Sequence, residues 1–186
     1  MTDVIQQALL NTKWKKSMQY IIVRFVGKIL IKKWNVRSCL RMTTSKGFNI
    51  NVEFIGQIAQ KKRITQFVKD TIINFMPKMM RPIDIEITTV NRCPHDYFAL
   101  CWGNRNTVEI EIARGSEDEE FDINEMMLNL AHELIHAKQF LRGDLTSTLR
   151  WGDKHADIQA AYFSQPWERE AYSKEGDIYA KYWEKA

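Results

Sequence analysis

The segment that most constrains this chain is one in which a helix start, a helix stop and apolar periodicity all agree. Asp122 and Glu125 have the spacing of a capping box, in which each side chain satisfies a backbone N–H left bare by the first helical turn. Gly143 can adopt the left-handed conformation that ends a helix. Between these signals Ile123, Met127, Leu130, Leu134 and Leu141 fall on one stripe of a helical wheel. The spacing predicts a helix from about Ile123 to Leu141 whose stripe must be buried against another layer. His132, Glu133 and His136 lie inside it, on a different face shared with Glu125, Asn129 and Gln139. Polar companions of that kind argue against two histidines packed among apolar side chains.

The rest of the chain supplies the layer. Phe48, Ile50, Val52 and Phe54 alternate with Asn49, Asn51 and Glu53, which predicts a half-buried strand. Ile64, Phe67, Val68, Ile72, Phe75 and Met79 recur at helical spacing, and Pro77 marks the end of that helix or a kink in it. Pro82 opens a second alternating run, with Ile83, Ile85 and Ile87 facing away from Asp84, Glu86 and Thr88. Residues 98–102 and 107–112 flank Gly103-Asn104-Arg105-Asn106, a turn composition, and read as a hairpin. Pro166 can start a last helix with Trp167, Ala171, Ile178 and Tyr182 on its buried stripe. The expectation is an α+β domain over residues 47–186, with a short, mostly antiparallel sheet packed on the histidine-bearing helix and the C-terminal helix. Residues 1–46 hold no clean periodicity and read as a basic N-terminal extension.

Composition narrows the class further. With 186 residues, 45% of them hydrophobic, the chain can bury one core without covalent staples. Cys39, Cys93 and Cys101 cannot pair completely and form no Cys-x-x-Cys, so neither a disulfide framework nor a thiolate metal site is indicated. The group Cys93-Pro94-His95 with Cys101 matches no standard metal spacing. The first residues lack the build of a signal peptide, and the apolar run of residues 18–31 is broken by Arg24 and Lys28 and is too short to span a bilayer. A cytoplasmic protein is expected. Residues 1–81 carry 16 Lys+Arg against 3 Asp+Glu, a charge of +13, and the remainder carries 11 against 20, a charge of −9. The basic half would bind nucleic acid weakly, or the two halves complement one another in the fold.

Histidines at i and i+4 stack one turn apart on a helix, near enough to share an ion at about 2.0 to 2.1 Å from each nitrogen. Glu133 between them is placed to take a proton from a water molecule at the open coordination position, the arrangement of a metal-assisted hydrolase of peptide bonds. Zinc is the metal this ligand set favours. A third protein ligand is needed, and His155, Glu168 and Glu170 are the candidates. On the wheel of the last helix Glu168 lies nearer the buried stripe than Glu170, which falls among Lys174, Asp177 and Lys181. His155 follows a Trp151-Gly152-Asp153-Lys154 loop.

The segments Ala131-His132-Glu133-Leu134-Ile135-His136-Ala137 and Pro166-Trp167-Glu168-Arg169-Glu170-Ala171 resemble the small zinc metalloproteases of bacteriophages, related to SprT-like and gluzincin peptidases. The likeness covers about residues 48 to 183 and is specific at those two segments. It implies a zincin-like endopeptidase acting on protein or peptide, with zinc held by His132, His136 and Glu168 and Glu133 as the base. For a phage protein the compartment would be the host cytoplasm. Gluzincins often have Asp or Asn where this chain has Tyr172. The SprT-like branch implies His155 as third ligand and a nucleic-acid association instead. Zincins lay an extended peptide along the strand before the motif helix, which maps onto residues 108–112. Tyr162, Tyr172 and His95 are candidates for stabilising the oxyanion. The other readings are a nucleic-acid-associated protein and an inactive protein whose zinc only fastens two helices.

Overall fold

The alternating run after Gly47 forms β1 (Ile50–Ile55), and the following amphipathic segment forms α1 (Lys61–Phe75). The computed structural model describes residues 49–92, 97–116, 119–155 and 161–185. The expected extension of residues 1–46 lies outside them, with ten of the sixteen basic residues of the first 81, and so do Cys93 and His95. α1 stops at Phe75, two residues before Pro77, and buries Ile64, Phe67, Val68 and Ile72. Then come β2 (Ile83–Val90), β3 (Ala99–Gly103), β4 (Thr107–Ala113), α2 (Ile123–Arg142), the short arms β5 (Arg150–Trp151) and β6 (Lys154–His155), a 3-10 turn (Tyr162–Ser164) and α3 (Pro166–Tyr179), which continues as a π-helical turn (Ala180–Glu184). The α+β class is as expected.

The sheet is mixed, with strand order β1-β2-β4-β3. β1 pairs with β2 and β2 with β4 in parallel, and only β3 and β4 pair antiparallel, which corrects the mostly antiparallel sheet expected. Alternation reports that a strand is half-buried and carries no information on its direction. Direction comes from the connections. α1 returns the chain to the end of the sheet where β1 began, so β2 runs with β1, the crossover that parallel pairing needs. β3 then reverses, its hairpin reverses again, and β4 docks on β2 in parallel with β3 left on the outside.

Ile83, Ile85 and Ile87 of β2 and Val108, Ile110 and Ile112 of β4 are buried beneath α1 and α2. α2 has the expected caps: Asp122 accepts from the Asn124 and Glu125 amides, Glu125 reaches back to the Asp122 amide, and Gly143 closes the helix at φ 79°. Every residue from Leu130 to Leu141 is buried, because the sheet covers one face of α2 and α3 covers the other. The π-helical turn anchors the end of α3. Trp183 there is buried against Phe67 at 6.1 Å between ring centroids, with its indole N–H donating to Asn124 at 3.1 Å and the Arg63 guanidinium over its ring. No described helix is long and apolar enough to cross a membrane.

Candidate metal centre

Two helices build the site. α2 projects His132, Glu133 and His136 toward α3, and α3 returns Glu168 from its first turn. The Nε2 atoms of the two histidines lie 3.1 Å apart. Glu168 places Oε2 3.3 Å from His132 Nε2 and Oε1 3.4 Å from His136 Nε2. Donors about 2.0 to 2.1 Å from a tetrahedral ion stand roughly 3.3 Å from one another, so these separations fit a shared metal. All three side chains are buried, and among the described residues this is the group of three whose ligand atoms converge.

The outward-facing histidine nitrogens are held as well. His132 Nδ1 sits 2.6 Å from Oε2 of Glu175, and His136 Nδ1 sits 2.8 Å from Oε1 of Gln139. Each acceptor fixes a proton on Nδ1 and leaves the Nε2 lone pair toward the shared point. Gln139 is itself fixed, since its amide donates to the Trp167 carbonyl and to Glu170, each at 3.0 Å. Glu170 in turn receives Lys138 and Lys174. Glu168, Glu170, Glu175 and the Trp167 carbonyl all come from α3, so one helix supplies a candidate ligand and secures both histidines.

Charge and burial compete here. Burial disfavours the charged form of the Glu168 carboxylate, but the neighbouring His136 and His132 outweigh it and hold its pKa near 2. Burial likewise lowers His136, and the charge and hydrogen bond of Glu168, with Glu133 beside it, carry it up to about 9. His132 is raised against its own burial through Glu168 and Glu133. Glu133, unlike Glu168, is raised, burial outweighing both histidines. It borders an open cavity with His136, Glu168 and Tyr162. Tyr162 is hydrogen-bonded to Glu168, and its phenol is raised by burial and the nearby carboxylates.

Of the three candidates for a third ligand, Glu168 joins the histidines. Glu170 faces Gln139 and the lysines, and His155 lies exposed on β6, outside the cluster. Tyr172 is half-exposed, its ring 4.7 Å from that of His132. The strand at the mouth of the site is β3, whose Ala99, Leu100 and Cys101 line the cavity. β4, carrying residues 108–112, is enclosed between β2 and β3, which corrects its assignment as the edge. Sequence reasoning missed Glu175 altogether. Its signal is the seven-residue step from Glu168, two turns along one face of α3.

No family model matches the chain, and no curated protein matches it. The crystal structure of a Wss1 mutant from Saccharomyces cerevisiae is similar at 14% identity and a TM-score of 0.34, over 75% of this chain and 94% of that one. The likeness is loose, and the reading of the site rests on its own residues.

Proposed function

We propose that the chain is a zinc-dependent metalloendopeptidase. The observation that carries this reading is the convergence of His132, His136 and Glu168 with a buried Glu133 beside them at an open cavity. The two Nε2 atoms and the Glu168 carboxylate would hold the ion, leaving a position free for substrate and water. Zinc bound there supplies a lowered pKa to water and polarises a peptide carbonyl.

The chain's own groups do the rest. Glu133 takes the proton of the attacking water as its oxygen bonds to the carbonyl carbon, and gives that proton to the departing amine when the C–N bond breaks. Burial raises the Glu133 carboxyl above its ordinary value, which makes it a stronger base than an exposed carboxylate. Tyr162, on the cavity wall, gives its phenolic hydrogen to Glu168, and once that carboxylate is engaged with an ion the hydroxyl can turn to the oxygen that gains charge. β3 is the terminal strand of the sheet and borders the cavity, so an extended peptide can pair along it. Unfolded or flexible protein segments are therefore the substrate class.

The test is hydrolysis of a denatured protein by zinc-loaded parent and Glu133→Gln protein. The amide keeps the shape of the carboxylate and cannot accept the proton, so cleavage should fall by at least ~100-fold while zinc and fold are retained. A variant as fast as the parent removes Glu133 from the chemistry.

A further inference from the structure

The cavity that Glu133, His136 and Glu168 share does not end at them. It opens to solvent and reaches an apolar wall made by Cys101, Phe140, Leu145, Leu149 and Trp167. Phe140, Leu145 and Trp167 form a small buried cluster of their own, separate from the main core. Outside the three site residues, no charged side chain lines this cavity among the described residues.

Leu149 is the odd member of the wall. Its φ of 55° is left-handed, a conformation that a bulky side chain rarely adopts and that glycine or asparagine takes readily. The loop around it is pinned in that shape. The Leu149 amide donates to the Thr146 carbonyl at 2.9 Å, the Thr146 amide to the Arg150 carbonyl at 3.0 Å, and the Gly152 amide to the Asp144 carbonyl at 2.9 Å. A turn of this kind would form with less strain around glycine. What leucine adds is a half-buried branched side chain on the wall of the cavity that holds Glu133. Backbone strain kept at such a place points to a use for the side chain.

We propose that Leu149, with Leu145 and Phe140, forms a specificity pocket that takes an aliphatic or aromatic side chain of the peptide next to the bond cleaved. The inference rests on the metallopeptidase reading and adds to it a substrate preference. An acidic side chain entering this wall would lose its water and share the cavity with the Glu133 and Glu168 carboxylates, whereas an apolar one exchanges water for carbon contacts.

The experiment is calorimetric binding of N-acetylated glycine, leucine and aspartate hydroxamates to the zinc-loaded protein, which needs no turnover. The leucine compound should bind at least about 10-fold more tightly than the glycine one, since a single methylene in an apolar pocket is worth about 10- to 200-fold, and the aspartate compound should bind no better than glycine. Leu149→Gly and Leu149→Asn both suit the left-handed backbone, so their unfolding midpoints should equal or exceed the parent's. Their preference for leucine over glycine should nevertheless shrink by about tenfold. Equal binding of the three compounds by the parent, or an undiminished leucine preference in both variants, overturns the pocket while leaving the metal centre standing. If none of the three hydroxamates binds, the metal centre fails and the pocket with it.

Discussion

The Nδ1 atom of His132 lies 2.6 Å from the carboxylate of Glu175, seven residues beyond Glu168 on the same helix. The position four residues after Glu168, where a carboxylate could also have reached back to the histidine, holds Tyr172, which packs its ring on His132 instead. The carboxylate that meets His132 stands one turn further along α3. Glu175→Ala should therefore weaken zinc binding by about 10- to 100-fold, the usual cost of removing the partner of a ligand histidine. Glu175→Gln, which can still accept from Nδ1–H, should lose less. Competition with a chromophoric chelator measures both, and equal loss in the two variants would show that bulk rather than hydrogen bonding matters.

His136 depends on a longer chain of contacts, through Gln139 to Glu170. Glu170→Ala frees the Gln139 amide to turn and should weaken zinc detectably, though less than Glu168→Ala, which removes a donor outright. Gln139→Glu keeps an acceptor for His136 but sets two carboxylates against each other. Adding Glu170→Gln to it restores a donor at that contact, so the double variant should recover much of the affinity lost in Gln139→Glu. Additive losses in the double variant would break the relay.

The metal-free protein should lose stability as pH rises. His136 binds its proton more tightly folded than unfolded, with its pKa raised from 6.5 to about 9, so its contribution is full below 6.5 and disappears as pH passes through 9. His132, also raised, acts in the same sense. Glu168, lowered from 4.5 to about 2, keeps its contribution throughout that interval and loses it only in acid. Between pH 6.5 and 9 the metal-free unfolding midpoint should fall more in the parent than in His136→Gln, while zinc affinity strengthens because the ion needs an unprotonated Nε2. A parent and variant that fall equally would place the raised pKa elsewhere.

The helix carrying the site was legible because capping chemistry, apolar spacing and a terminal glycine all agree from Asp122 to Gly143. Glu168 was legible in part, since its wheel position leans toward the buried stripe. The polar face of α2 could be read as a face, with Gln139 beside the histidines, but its burial could not, because that depends on α3 folding across it. Strand direction and the choice of β3 as the edge follow from how the connections stack, which no single strand's residues reveal. Leu149 gives no local signal at all: leucine ordinarily avoids positive φ, and only the closed loop around it imposes one.

The central claim, that His132, His136 and Glu168 together hold zinc, is tested most directly by metal analysis of purified variants. The parent and Glu133→Gln should each carry about one zinc per chain, as a single three-ligand site implies. His155→Ala should match them, since His155 lies exposed outside the cluster. His132→Ala, His136→Ala and Glu168→Ala should each lose the ion on dialysis while keeping their helical content. Zinc retained at one per chain in Glu168→Ala but lost in His155→Ala would contradict the account.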